Sequence, residues 1–150
     1  MEKEKILLKI ASFNVNGIKA RLLPLITWLK AAKPDVLVLQ EIKSTDETFP
    51  KTEIEELGYN IATHGQKSFN GVAILSLLPI ENIRIGLNGN STDSQSRWIE
   101  AEINAVRICC LYLPNGNPCP GPKFDYKIEW MDLFYKRAEE IIKSEQASVM

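Results

Sequence analysis

The sequence is poor in the residues that mark several common classes of protein. Its 150 residues include one histidine and three cysteines, an odd number. A disulfide framework needs paired cysteines, and a zinc site needs several cysteine or histidine ligands at short spacings, a pattern that this sequence does not contain. We therefore expect buried, reduced thiols, which are typical of a cytoplasmic protein.

Long apolar runs and clustered glycines are also missing. No stretch approaches the ~20 apolar residues that a membrane-spanning helix needs, and the opening residues MEKEKILLKI lack the length and the cleavage site of a signal peptide. The eight glycines are isolated from one another, so no phosphate-cradling loop indicates a nucleotide. We expect a protein with no membrane segment and no nucleotide cofactor.

The sequence also has little net charge, −1 from 18 basic and 19 acidic residues. This balance excludes a strongly basic nucleic-acid coat protein, but it is compatible with a DNA enzyme that has a locally positive face. The length suits one domain, and the 45% of apolar residues is enough for a buried core.

The apolar pattern predicts a mixed α/β fold. Strands are expected at 6–15, 36–40, 59–63, 72–76, 80–85, 98–103 and 107–113. Helices are expected from about residue 22 to 32, at 51–57 and at about 123–144. The last of them carries an apolar stripe of Phe124, Ile128, Met131, Tyr135, Ala138 and Ile142. Strands in series after one strand–helix–strand unit indicate helices covering one face of a largely antiparallel sheet.

Two of these strands end in side chains that suit a metal ion. The first strand ends around Asn14, with Asn16 just beyond it, in SFNVNGIKAR, and Glu41 follows the second strand, in DVLVLQEIK. A carboxylate directly after a buried strand is costly unless it is paired or bound to a cation. Carboxylate and amide oxygens are ligands for a hard cation such as magnesium. The two strand ends therefore predict part of a magnesium site, although the asparagines also suit an ordinary turn.

Five segments occur in an order and at intervals that match a known family. They are SFNVNGIKAR, DVLVLQEIK, HGQKSFNGVAILS, SRWIEAEI and YLPNGNPCPGPKFDYKIEWMD, and they extend from about Lys9 to the end of the chain. Together they resemble the exonuclease III family of abasic-site endonucleases and 3′-exonucleases. The resemblance implies the deoxyribonuclease-I-like fold, a four-layer α/β sandwich. It also implies that this chain supplies about the first half of that single domain, as one mostly antiparallel sheet with its covering helices.

The resemblance implies a role for each of six residues. The metal ligands for Mg²⁺, with Mn²⁺ as a substitute, are Asn14 and Glu41; the catalytic residues are Tyr112 and Asn115; the DNA contacts are Lys19 and Arg21. A phenol at the scissile phosphate acts as a hydrogen-bond donor or, with a lowered pKa, in proton transfer. His64 is interpreted as structural or DNA-proximal, because the family's catalytic histidine belongs to a later segment. Arg97 is interpreted as structural.

The same resemblance implies magnesium-dependent hydrolysis of double-stranded DNA, at abasic sites and 3′ ends, by a full-length monomer. The family's further metal-proximal aspartate and its catalytic histidine are not among these residues, and 147–150 looks like an interrupted strand. We therefore expect this chain to be inactive alone. Two alternatives stay open: a non-catalytic DNA- or partner-binding remnant, and a branch of the superfamily that acts on phosphoinositides or phospholipids. The segment NGNPCPGPKFDYKIEWMD favours the DNA branch.

Overall fold

The structure, a computed structural model, describes residues 7–150. In chain order its elements are β1 (Ile10–Asn14), α1 (Leu22–Ala32), β2 (Val36–Gln40), α2 (Lys51–Glu55), β3 (Asn60–His64), β4 (Val72–Ser76), β5 (Glu81–Ile85), β6 (Trp98–Ile103), β7 (Val106–Leu111), α3 (Pro122–Lys143) and β8 (Ser148–Val149). The first strand is predicted from Ile6 but observed from Ile10. Ile6 itself, and most of the opening segment considered above as a signal peptide, lie outside the described residues.

The strands form two four-stranded sheets. Sheet 1 has the order β1-β2-β4-β3, and sheet 2 has the order β5-β6-β7-β8. Each sheet has one parallel pair, β1–β2 or β7–β8, and its other pairs are antiparallel. Residues 77–80, between β4 and β5, carry the chain from one sheet to the other.

The predicted α/β class is confirmed, but the expectation that the chain supplies one sheet is wrong. It supplies four strands of each of two sheets. Val38 and Ile74 of sheet 1 are buried in the same cluster as Ile99 and Ile108 of sheet 2, so the inner faces cover each other. Apolar alternation tells which side of a strand is buried, but not which strand is its neighbour. The sequence pattern therefore could not reveal the change of sheet after β4.

Helices cover the outer face of each sheet and complete four layers. Sheet 1 packs against Leu25 and Leu29 of α1 and Ile54 of α2, and sheet 2 packs against Trp130 and Ile141 of α3. The order helix–sheet–sheet–helix is the four-layer sandwich that the resemblance implied. Within residues 7–150 no helix is both long and apolar enough to cross a membrane.

Helix α3 turns a different face to the sheet than the sequence predicts. Members of the predicted stripe are exposed, namely Ile128, Met131, Tyr135 and Ile142. The face that packs on sheet 2 includes Phe134, whose ring centroid is 5.7 Å from that of Trp98. This face lies roughly 100° around the helix axis from the predicted one. It also contains Arg137, which pairs with Glu100 of β6, so this face combines apolar packing with a charged contact that the predicted stripe lacks.

A buried carboxylate anchors α3 on sheet 2. Glu100 is 1% exposed and accepts hydrogen bonds from Trp98 Nε1 at 3.1 Å, from Arg107 NH1 at 3.2 Å and from Arg137 Nε at 2.9 Å. Arg137 NH2 also bonds to Glu100, which makes a bidentate pair. Burial alone would raise the pKa of Glu100, but Arg137, Trp98 and Arg107 outweigh burial and lower that pKa below 4.5.

Candidate metal and phosphate site

The candidate site begins where β1 and β2 end. These strands run parallel with Asn14 opposite Gln40, so their carboxyl ends meet at one edge of sheet 1. Past β2 the backbone turns sharply, and Glu41 has a φ of +52°. The next residue, Ile42, is fully buried and donates its N–H to the Gly71 carbonyl at 3.2 Å. The buried isoleucine anchors the turn and keeps the Glu41 carboxylate beside Asn14.

Three side chains contact the Glu41 carboxylate. Asn14 Nδ2 donates to Oε1 at 3.0 Å, and the Tyr112 hydroxyl donates to the same oxygen at 2.5 Å. Lys43 Nζ lies 3.5 Å from Oε2 and donates to Asn16 Oδ1 at 2.7 Å. Tyr112 directly follows β7 of sheet 2. The five residues Asn14, Asn16, Glu41, Lys43 and Tyr112 therefore form a cluster that joins the two sheets. The structure thus brings together the sequence-predicted residues Asn14, Glu41 and Tyr112.

These contacts change the acidity of both partners in the short hydrogen bond. The bonds from Tyr112 and Asn14, helped by Lys43, lower the pKa of Glu41 although partial burial raises it. Burial and the bond to Glu41 raise the pKa of Tyr112 to about 12. At neutral pH Glu41 is therefore ionised and Tyr112 is a neutral donor. This environment does not favour proton transfer by a phenol of lowered pKa.

The oxygen atoms of the cluster suit a hard cation. The positive Lys43 ammonium already lies against oxygens of Glu41 and Asn16. Among the described residues no three His, Cys, Asp or Glu side chains are grouped to hold a metal. Glu41 is the one carboxylate among the side chains whose contacts form this cluster. Mg²⁺ is commonly bound through one or two carboxylates, with waters and substrate phosphates as its other ligands. The residues present therefore fit magnesium, which the Glu41 carboxylate would bind directly.

Asn14 has a different position from the one expected of a ligand. Its Oδ1 accepts the N–H of Asn16 at 3.1 Å, while its Nδ2 is turned to Glu41. In this arrangement Asn14 orients the carboxylate of Glu41 and uses its own oxygen to hold the turn after β1.

The remaining predicted residues lie outside the cluster. Asn115 is exposed, and its Oδ1 accepts the N–H of Asn117 at 3.1 Å within its own turn. Lys19 and Arg21 are exposed between β1 and α1, beside the turn that holds Asn14 and Asn16.

His64 is distant from the cluster, and its interpretation as structural or DNA-proximal stays a prediction. It lies in the same row of sheet 1 as Asn14, three strands away by way of Gln40 and Val72. At about 4.8 Å per strand the Cα atoms of His64 and Asn14 are about 14 Å apart. Burial lowers the pKa of His64, against the raising effect of Asp46 and Asp93.

Sequence reasoning missed two contributors to the site. Lys43 is in the quoted motif DVLVLQEIK, two residues after Glu41, and this spacing was the available signal. Arg97, interpreted as structural, places its guanidinium carbon 4.9 Å from the centre of the Tyr112 ring. The signal for Arg97 was the pairing of the two predicted strands 98–103 and 107–113, which brings residue 97 opposite residue 112.

Comparisons with known proteins agree with this geometry. The family model described as the endonuclease/exonuclease/phosphatase family matches residues 11–149. Exodeoxyribonuclease III of Haemophilus influenzae is 34% identical over 142 residues, which cover 92% of this chain and 52% of that protein. Exodeoxyribonuclease of Bacillus subtilis is 28% identical over 126 residues, which cover 82% of this chain and 49% of that protein.

Solved structures give the same result. The 3′ phosphatase NExo from Neisseria, bound to a product DNA hairpin, superposes with a TM-score of 0.88 at 33% identity and covers 91% of this chain and 53% of its own. An AP endonuclease from Archaeoglobus fulgidus has a TM-score of 0.83 at 38% identity and covers 87% of this chain and 50% of its own. The chain spans about half the length of the relatives it matches. Because the family model matches nearly all of the described residues, the chain belongs to the endonuclease/exonuclease/phosphatase family.

Proposed function

We propose that this chain forms the first half of a magnesium-dependent DNA repair nuclease of exonuclease III type. The observation that carries the proposal is the Glu41 carboxylate, which extends from sheet 1 and accepts a hydrogen bond from Tyr112 of sheet 2. Relatives that include exodeoxyribonuclease III support the same chemistry. The substrate is double-stranded DNA, cut at abasic sites or from 3′ ends.

Each residue of the predicted site, inside or outside the cluster, has a role that follows from its chemistry. Magnesium, when bound, supplies positive charge that offsets the charge of the scissile phosphate. Glu41 binds the metal, and Asn14 and Tyr112 keep its carboxylate ionised and oriented. When DNA is bound, the single proton of the Tyr112 hydroxyl turns from Glu41 to the substrate, and this hydroxyl and the Asn115 amide donate to phosphate oxygens and stabilise the charge that develops there. Lys19 and Arg21 contact the DNA backbone, which positions the duplex without reading its sequence.

We further propose that the rest of the domain adds along one side of this chain. A groove of about 550 Å³ runs between the two sheets, and its walls include Ile10 of β1 and Val149 of β8, the edge strands. Asn14 and Tyr112 also line this groove. Strands that add to β1 and β8 would bring the further carboxylates and the general base to the Glu41 site. The proposal also takes the complete form to be a cytoplasmic monomer.

Metal binding is the first test of the proposal. Calorimetry with Mg²⁺, and electron paramagnetic resonance with Mn²⁺, should detect one site that Glu41→Gln abolishes. Glu47→Gln is the matched control, because Glu47 is an exposed carboxylate in the segment that follows the same turn. Equal binding by the two variants would contradict the assignment of Glu41.

Cleavage is the second test. With Mg²⁺ and an abasic-site duplex, the chain alone should cleave no faster than buffer, because it supplies one carboxylate to the site. Addition of the carboxyl-terminal half of the Haemophilus influenzae relative should restore Glu41-dependent cleavage. Glu41-dependent cleavage by the chain alone would contradict the expected inactivity, and none after complementation would leave the binding remnant as the better description.

A DNA-binding measurement separates the alternative of a non-catalytic DNA-binding remnant from a chain with no function. Affinity should be insensitive to sequence and should fall steeply with salt, since phosphate contacts dominate it. Lys19→Met and Arg21→Met should each reduce the slope of log affinity against log salt by about 1. Lys143→Met, on the outer helix α3, is the control that should leave the slope unchanged. Affinity that resists salt would contradict backbone recognition.

A further inference from the structure

We propose that Arg97 is a positioning residue: it fixes the ring of Tyr112 so that the tyrosine hydroxyl reaches Glu41. The inference rests on the proposed function of the Glu41 site and deepens it. Arg97 does not touch that carboxylate, and it acts through Tyr112.

Arg97 holds both the backbone and the ring of Tyr112. The two residues face each other across the β6–β7 hairpin, one residue beyond the pair Trp98 and Leu111. The Tyr112 N–H donates to the Arg97 carbonyl at 2.9 Å, and Arg97 NH1 donates to the Tyr112 carbonyl at 3.1 Å. The guanidinium carbon lies 4.9 Å from the ring centre. This is within the ~6 Å over which a cation and an aromatic face attract each other.

The guanidinium is itself fixed on its other side. Arg97 Nε donates to Gln95 Oε1 at 2.8 Å, and the guanidinium carbon is 5.9 Å from the ring centre of Tyr126 in α3. The Tyr126 hydroxyl donates to Asp93 Oδ2 at 2.8 Å, which ties that ring to the loop before β6. Arg97 therefore lies between two tyrosine rings, one anchored on α3 and one at the site. A guanidinium fixed in this way loses little further freedom when it holds Tyr112.

This arrangement determines where the Tyr112 hydroxyl points. The hydroxyl bonds to Glu41 across the gap between the sheets, and that bond is the largest cause of the low Glu41 pKa. Tyr112 lies past the end of β7, and backbone hydrogen bonds alone do not fix the direction of its ring. Contacts that orient a metal ligand from outside typically change metal affinity by about 10–100-fold. Loss of Arg97 should therefore weaken metal binding through misplacement of Tyr112.

The first experiment reads Tyr112 directly in the metal-free chain of 150 residues. Carbon-13 labelling of the tyrosine rings gives a resonance whose shift and ring-flip rate report the Tyr112 environment. Arg97→Met should shift that resonance and speed the flip, and Arg97→Lys should recover part of the change because it restores the charge. The control is Arg107→Met, which breaks a buried arginine contact on the same hairpin without touching Tyr112.

The second experiment is Mg²⁺ titration of the same variants by calorimetry. Arg97→Met should weaken binding about tenfold, whereas Arg107→Met should leave it within about twofold of the wild type. If Arg97→Met does not fold, Arg97→Lys serves for both measurements with smaller expected changes.

An unchanged Tyr112 resonance in the Arg97 variants would overturn the inference. So would loss of metal affinity of equal size in the Arg107 control. A wild-type chain that binds no Mg²⁺ would instead overturn the proposed function, and the ring measurement would still decide the role of Arg97.

Discussion

Replacement of Arg137 by methionine should loosen helix α3 from sheet 2. Glu100 is 1% exposed, and Arg137 reaches it through two nitrogens. Methionine keeps much of the apolar stem but removes both donors. Loss of one partner from a buried ion pair costs about 3–5 kcal/mol. Because Arg107 and the Trp98 N–H still bond to Glu100, we expect the lower end of that range, about 3 kcal/mol.

Lys136→Met is the matched control for this prediction. Lys136 is the preceding residue of the helix and pairs on the surface with Asp132, their side chains being 63% and 60% exposed. Such a pair stabilises by less than about 1 kcal/mol. Denaturant unfolding measures both losses, and Arg137→Met should also lower Tm by about 6–12 °C. Equal losses in the two variants would refute the idea that the buried ion pair holds the helix.

The same cluster has a defined dependence on pH. The pKa of Glu100 is lowered from 4.5, so the folded chain binds this proton less readily than the unfolded chain. The stability that Glu100 contributes is therefore present above pH 4.5 and is lost as the pH falls below that value. Glu100→Gln should reduce the loss of unfolding free energy between neutral pH and about pH 3. An unchanged acid dependence in that variant would contradict the assignment.

Three further changes test the turn, the short hydrogen bond and the buried thiols. Gly71→Ala would place a methyl 2.5 Å from Ile42 at a residue with a φ of +88°. It should therefore lower the free energy of unfolding by about 1–3 kcal/mol and weaken Mg²⁺ binding. A variant whose unfolding free energy and Mg²⁺ affinity equal those of the wild type would contradict this. Tyr112→Phe removes the hydrogen bond that is the largest cause of the low Glu41 pKa, so that pKa should rise towards 4.5 in a carboxylate NMR titration. An unchanged Glu41 pKa would mean that the hydrogen bond has little effect. Cys119 is exposed, contrary to the expectation of buried thiols, so a thiol reagent should label it and spare the two buried cysteines, whose pKa values burial raises to about 12. Rapid labelling of all three would show that the core opens.

The sequence predicts the elements well where a strand has a buried face. The strands β2, β4 and β6 occupy the predicted residues, since continuous apolar side chains leave one consistent placement. Prediction fails where two placements bury similar area. Helix α3 has two apolar faces, and the one that is buried contacts Trp98 and Glu100 of β6, residues distant in sequence that periodicity does not reveal. The same limit applies to the division of the strands between two sheets.

Within the candidate site, the backbone positions are more predictable than the contacts. Asn14 and Glu41 could be placed together because they lie at the carboxyl ends of two neighbouring parallel strands. The contact of Tyr112 with Glu41 joins residues 71 positions apart and arises from the packing of one sheet on the other, which periodicity does not encode. The role of Arg97 depends on the register of a hairpin, and the resemblance carried no contact for it. The roles of Asn115, Lys19 and Arg21 stay predictions.

The hydrogen bond from Tyr112 to Glu41 spans the sandwich, so ligand binding there is linked to the association of the two sheets. Separation of the sheets would break the bond and remove one of the groups that orient the carboxylate. By the same linkage, a ligand that binds the closed sandwich and not the opened one shifts the equilibrium towards closure. At a hundredfold excess over Kd this shift is about 2.7 kcal/mol. An ion bound at Glu41 would therefore stabilise the closed sandwich, and its concentration would set how often this end of the molecule opens.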